Sequence, residues 1–266
     1  MQCPSAIPHF HLSRSDKRKP HAKWRIHGEH MTCRIKVACM DRRLNPYLDV
    51  HQDGKTITYR TAGGNLALII SEVHELAKAH DATEIIVYTH TDCGFAKVVY
   101  AALSGEKVDD AIYKDLVVPF LKNGLKNRGL EGIEKENAEM QGRTLAEMEG
   151  CRRLYHRECR LVGIETINPP QLKGERSLVV GLPTKRKFED IANIIGVESG
   201  NTYFLNANRI DGILTDIRIA VENLNIKDVR LFQDGDSQCK AIDRFGKAIH
   251  DTGILGQNAN IPVIRV

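Results

Sequence analysis

The stretch from Leu66 to Thr89 limits the possible folds more than any other part of this chain. Leu66, Ile69, Ile70, Val73, Leu76 and Ala77 recur at helical spacing. Then comes a compact strand-like run, Glu84-Ile85-Ile86-Val87-Tyr88-Thr89, with turn signals on both sides. Its apolar centre does not alternate with polar residues, as expected for a strand buried on both faces of a parallel sheet. Upstream, Arg34-Ile35-Lys36-Val37-Ala38-Cys39 is a short strand running into a polar turn, Met40 to Pro46. Thr56-Ile57-Thr58-Tyr59-Arg60 is another, ending at the turn Ala62-Gly63-Gly64-Asn65. Strand, turn, helix, strand is the βαβ order, so the chain reads as α/β with a parallel sheet.

Residues 96–157 are helical in composition and heavily charged, with breaks at Gly105, Pro119, Gly124, Gly129, Gly132 and Gly142. Residues 160–167 read as a strand stopped by Pro169 and Pro170. The order of elements then repeats. Ser177 to Leu182 is a strand before a polar turn. Asn201 to Asn208 can be laid on Lys55 to Asn65 through the Thr-Tyr pairs at 58–59 and 202–203. Ile210 to Leu224 has the helix pattern, Asp228 to Phe232 matches the Glu84 strand, and Ile261 to Val266 closes the chain. This reads as an internal duplication in two tandem halves. The expected divisions are a basic flexible tail at 1–31, a first half at 32–170 and a second at 171–266.

The net charge of +4 is local, since Arg14, Lys17, Arg18, Lys19, Lys23 and Arg25 carry most of the excess. The remainder shows no basic stripe interleaved with aromatics, so no nucleic-acid role is expected. No apolar run reaches membrane-spanning length and no secretory signal is evident, so a cytoplasmic protein without membrane association is expected. The seven cysteines are odd in number and thinly spread. That argues against a disulfide framework and leaves thiols for metal or catalysis.

Cys39 ends one strand, and His90 and Cys93 follow another. Parallel neighbours bring their C-terminal ends to one sheet edge, where α/β proteins place their sites. Two thiolates and an imidazole suit tetrahedral zinc with its fourth position open. Cys33 lies at the far end of the same strand, about 20 Å away at roughly 3.3 Å per residue, and does not complete the set.

The ordered set Cys39-Met40-Asp41-Arg42-Arg43, then Ala62-Gly63-Gly64, then His90-Thr91-Asp92-Cys93-Gly94 resembles the β-class carbonic anhydrase signature. The resemblance is strong over 33–95 and only architectural elsewhere. It implies the parallel-sheet fold of that family. It also implies one Zn2+ per chain on Cys39, His90 and Cys93, an Asp41–Arg43 dyad, and a substrate pocket near Gly63 and Gly64. The implied activity is reversible hydration of carbon dioxide to bicarbonate and a proton, with hydroxide at the metal as nucleophile. Two alternatives stay open: hydrolysis of carbonyl sulfide or carbon disulfide, and a non-catalytic zinc-binding homologue. The family also has a closed form in which the aspartate, here Asp41, becomes a fourth ligand. Two residues depart from its pattern, Thr61 where asparagine is usual and Arg42 where a small residue is common.

Laying Leu182 on Cys39 aligns Thr184 with Asp41, Arg186 with Arg43, Asp234 with His90 and Ser237 with Cys93. Leucine cannot ligate, so the second half reads as a metal-free copy and the chain as a pseudo-dimer. Asp234, Asp236 and Ser237 read as a polar turn, and a homo-oligomer of such chains stays open. Tyr203 and Phe204 are candidates to wall the first half's pocket. The histidines at 9, 11, 21, 27 and 30 are read as part of a tail without function.

Overall fold

The computed structural model describes residues 33–122, 129–148, 150, 156–167, 174–235, 239–256 and 260–266. The expected basic tail and its histidines lie outside the described residues, as do Asp236 and Ser237. Eight strands form one sheet: β1 Arg34–Cys39, β2 Thr56–Thr61, β3 Glu84–His90, β4 His156–Val162, β5 Ser177–Gly181, β6 Thr202–Asn206, β7 Asp228–Gln233 and β8 Val263–Arg265. Their order is β4-β3-β1-β2-β6-β5-β7-β8. Neighbours run parallel except at the centre, where β2 and β6 meet antiparallel with Arg60 opposite Asn206. Outward from that junction the first half reads β2-β1-β3-β4 and the second β6-β5-β7-β8, so one order occurs twice. The protein is α/β with a mostly parallel sheet, and both halves share that sheet.

The reasons are local. Ile35 to Cys39 and Ile85 to His90 are buried throughout, as expected of central strands covered by helices on both faces. The helix expected at 66–80 runs Ile70–Ala79 and buries Val73 and Ala77. In the second half Phe188–Ile195 buries Phe188, Ile191, Ala192 and Ile195 along one stripe. Asp49 accepts the Phe188 and Glu189 N–H groups at 2.7 and 2.9 Å, so a first-half carboxylate caps that helix.

Several expectations need correction. The strand placed at 160–167 is β4, His156–Val162, and Ile164–Thr166 is a single 3-10 turn. β4 is an edge strand with exposed His156, Arg157 and Arg160. Such charge guards an open edge and hides the strand from a search for apolar runs. The helix expected over 210–224 is broken into a 3-10 turn Ile210–Gly212, an α-helix Leu214–Arg218 and a π-turn Ile219–Asn223. The two halves also align differently at their second strands. Arg34 pairs with Thr56 and Ser177 with Thr202, so Thr202 corresponds to Thr56 and Tyr203 to Ile57. The Thr-Tyr pairs at 58–59 and 202–203 are therefore out of register by two residues. Side chains alternate faces, so that shift keeps the same faces buried and escapes a hydrophobicity pattern.

The insert after β3 contains the short helices Asp110–Ile112 and Val118–Lys122 and the long helix Leu130–Ala146. The last packs on β3, β4 and the helix Gly94–Leu103. No helix among the described residues is long and apolar enough to cross a membrane.

Candidate metal centre

Cys39 is the last residue of β1, His90 is the last of β3, and Cys93 caps the N-terminus of Gly94–Leu103. Because β1 and β3 are parallel and in register, with Ala38 beside Tyr88, their ends deliver these side chains to one point. All three are buried, and their ligand atoms lie within 4.8 Å of one another. They are placed to hold a metal ion, and no other such trio occurs among the described residues.

The donor set fits a tetrahedral ion. Cys39 Sγ and Cys93 Sγ are 3.8 Å apart. Two sulfurs about 2.3 Å from one tetrahedral zinc would be separated by about 3.8 Å. His90 Nδ1 lies 2.8 Å from the Thr91 carbonyl oxygen, an acceptor that requires Nδ1 to carry a proton. His90 Nε2 is buried and has no hydrogen-bond partner. A buried polar atom left unsatisfied costs about 1–3 kcal/mol, and a metal ion would satisfy it.

The charges agree. Burial opposes ionisation of Cys39, but the Cys93 thiol and the His90 ring hold its pKa well below the usual thiol range. The hydrogen bond to Cys39, with burial, pushes the Cys93 thiol up. Burial also disfavours a charged His90, yet the negative Cys39 and Asp41 raise its pKa. The trio thus attracts positive charge, as a proton or as a cation that displaces it.

Asp41 follows β1 directly and is held by Arg43. Arg43 Nε donates to Oδ1 at 3.0 Å, Nη2 to Oδ2 at 2.7 Å, and the Arg43 backbone N–H to Oδ1 at 2.9 Å. Burial would raise the Asp41 pKa, but Arg43 and His90 hold it below the usual carboxylate value. Asp41 Oδ2 is 3.8 Å from His90 Nε2, so the dyad borders the metal position while remaining committed to Arg43. Arg43 also donates to Asp92 Oδ2 at 2.6 Å and to the Asp92 carbonyl at 2.8 Å. Asp92 takes a left-handed φ of 53°, which aspartate tolerates better than most residues, and pairs with Lys97.

Sequence reasoning missed a set of braces behind the ligands. Fully buried Arg60 donates to the carbonyls of Cys39 and Asp41 at 2.7 and 2.9 Å and to Asn45 Oδ1 at 2.9 Å, with Phe188 stacked 4.5 Å from its guanidinium. The insert helix Leu130–Ala146 supplies three more. Glu134 Oε1 accepts the Cys93 N–H at 3.1 Å, Asn137 donates to the Gly63 carbonyl at 2.8 Å, and Gln141 Oε1 accepts the Leu66 N–H at 2.9 Å. The spacing 134, 137, 141 was the one available signal, because it puts all three on one helix face.

Gly63 and Gly64 sit behind Cys39 and do not line the adjoining cavity. Gly63 donates its N–H to Cys39 Sγ at 3.2 Å. Its φ is 67°, and a Cβ there would collide with the Phe95 ring. A Cβ on Gly64 would lie 2.7 Å from the Tyr88 carbonyl oxygen. The cavity of about 240 Å³ is lined by Cys39, Asp41, Arg43 and Phe95 from the first half and by Arg176, Tyr203 and Leu224 from the second. Phe204 is instead buried against Phe188, with ring centroids 4.8 Å apart. At the corresponding place in the second half, Leu182, Thr184 and Asp234 line a cavity together with Ile57 of the first. Tyr203 and Ile57 thus exchange roles, as their strand register requires. No protein-family model matches the chain, and no curated protein matches it.

Proposed function

We propose that this chain is a zinc enzyme of the β-carbonic anhydrase type, hydrating carbon dioxide reversibly to bicarbonate and a proton. The observation that carries this reading is the buried Cys39–His90–Cys93 trio with an Arg43-anchored carboxylate 3.8 Å from its free imidazole nitrogen. Zinc held there supplies the Lewis acidity that brings deprotonation of water into the neutral range. Cys39, Cys93 and His90 Nε2 would hold it, and the Thr91 carbonyl fixes the His90 tautomer. Asp41, kept ionised by Arg43, would accept a hydrogen bond from the attacking water or hydroxide and so orient its oxygen toward the substrate carbon. Phe95, Tyr203 and Leu224 give a small apolar molecule somewhere to sit beside it.

In this reading the second half is a degenerate duplicate of the first and the chain is a pseudo-dimer with one zinc. The mirrored strand order and the absence of a second ligand trio among the described residues support it. The test is stopped-flow hydration of carbon dioxide by protein of measured zinc content, with carbonyl sulfide assayed alongside. Turnover proportional to zinc is expected. A stoichiometric zinc protein without turnover on either substrate from mildly acid to alkaline pH would leave only a binding role.

A further inference from the structure

The second half contributes to the metal centre through a residue on neither the ligand strands nor the cavity wall. Asp216 lies on Leu214–Arg218 and is completely buried. Its Oδ2 accepts the Ala62 N–H at 2.7 Å, and its Oδ1 has no hydrogen-bond partner. Ala62 opens the turn whose next residue, Gly63, donates its N–H to Cys39 Sγ. On the far side of that N–H, Asn137 donates to the Gly63 carbonyl. The peptide units before and after the sulfur-bonded one are therefore each fastened to a buried side chain. With Ala62 apolar and glycines at 63 and 64 in left-handed conformations, residues 62–64 have no polar side chain of their own to fix the turn's orientation.

The reciprocal contact shows what Asp216 adds. Glu72, on Ile70–Ala79, accepts the Asn208 and Arg209 N–H groups at 2.7 and 3.1 Å, holding the turn after β6 as Asp216 holds the turn after β2. Each half's helix thus braces the other half's turn. Glu72 uses both oxygens on a turn that serves no sulfur, whereas Asp216 spends one oxygen on the turn that serves Cys39 and leaves the other bare. Burial pushes the Asp216 carboxyl up to about 8, against the pull of the Ala62 N–H. Near neutral pH it therefore acts as a largely uncharged acceptor beside a centre already rich in negative groups.

We propose that Asp216 is a positioning residue for the metal centre, fixing the 62–64 turn so that the Gly63 N–H stays on Cys39 Sγ and tempers that sulfur as a ligand. This rests on Cys39, His90 and Cys93 forming a metal site. The Gly63 N–H is the group that meets the proposed ligand directly, and losing such a contact typically alters metal affinity about 10–100-fold.

The experiment loads the full-length chain with cobalt(II) and records the thiolate-to-cobalt charge-transfer band and the rate of metal extraction by a chelator. Asp216→Ala should shift the band and speed extraction by about tenfold or more. Asp216→Asn, which keeps a carbonyl acceptor for Ala62, should restore both. Glu72→Gln should leave both at wild-type values even if it lowers thermal stability. Should Asp216→Ala not fold, Asp216→Ser, too short to reach the Ala62 N–H, takes its place. A wild-type band and extraction rate in whichever variant folds, or the same change in Glu72→Gln, overturns the positioning role. A wild-type protein without a charge-transfer band would instead refute thiolate ligation, and with it the metal site.

Discussion

The two halves have one strand order and nearly one turn, yet among the described residues only the first gathers a trio that could hold a metal ion. After β1, the Arg43 backbone N–H donates to Asp41 Oδ1; after β5, the Arg186 backbone N–H donates to Thr184 Oγ1 at 3.0 Å. The two turns share this bond although one offers a carboxylate and the other a hydroxyl, because either serves the same backbone donor. The guanidinium has a different target in each half. Arg43 closes on Asp41, while Arg186 turns to Asp234, at 2.7 and 2.8 Å, in the position His90 holds in the first half. The Arg186–Asp234 pair is more than a third exposed on the arginine side and contributes little, about 0–1 kcal/mol. The Asp41–Arg43 pair is more buried and borders the ligands. The same backbone frame thus carries two different sets of side chains, and only the set at Cys39, His90 and Cys93 could hold a metal ion among the described residues.

That contrast breaks most sharply at the ligands. Cys39→Ser or His90→Ala should lose zinc and turnover together, since two protein ligands hold the ion far more weakly than three. Leu182→Ser, the matching change in the second half, should leave both intact. Elemental analysis of each variant decides, and full zinc in His90→Ala would show that the ligands are misassigned. The same measurement on wild type should give one zinc per chain.

Next in size are the dyad variants. Asp41→Ala should keep zinc and lose about 10²–10⁴-fold in turnover. Arg43→Ala should also lose activity, by freeing Asp41 to swing onto the metal. The double variant should be no worse than the worse single one, because the two act as a unit. Thr184→Ala, the counterpart in the second half, should not change turnover. Full activity in Asp41→Ala at every pH tested would reduce the dyad to a structural ion pair.

Smaller again is the brace from the insert. Glu134→Ala frees the Cys93 N–H and should weaken zinc binding about tenfold, as loss of a group that holds a ligand residue in place does. Chelator competition measures it, and unchanged affinity would make Glu134 only a packing residue.

A separate test, read in stability rather than metal binding, concerns the buried carboxylate that holds the turn after β2. The Asp216 pKa is raised on folding, from 3.8 to about 8. The folded state therefore binds the extra proton, and stability is lost as pH rises through that window, by at most about 1.4 kcal/mol per pH unit. Asp216→Asn should flatten that part of the stability curve in urea titrations, and an unchanged slope would place the Asp216 pKa near its unfolded value.

The frame of the first half was legible because its signals are strong and local. Ile85 to Tyr88 could hardly be anything but a buried strand, and the residues ending β1 and β3 are types that bind metals. The second half was legible in outline, and its β6 register was not, since a shift of two residues keeps every side chain on its own face. β4 was misplaced because an edge strand needs no apolar run. The braces Arg60, Glu134, Asn137 and Asp216 were missed for a shared reason. A charged or amide side chain in a polar helix or strand reads as solvated, and nothing in the local sequence says that a backbone amide will meet it.

The sequence by itself determined the βαβ frame, the repeat of its order and the three residues competent to hold a metal, because periodicity and residue chemistry are properties of the chain alone. The tertiary structure decided the rest. The joining of the halves into one sheet through antiparallel β2 and β6, the exchange of Tyr203 and Ile57 between cavities, and the reach of Asp216 to Ala62 and of Glu134 to Cys93 all depend on contacts between residues far apart in the chain. Such contacts form only where burial leaves a backbone donor or acceptor that must find a partner, and only the folded chain specifies which partner is near.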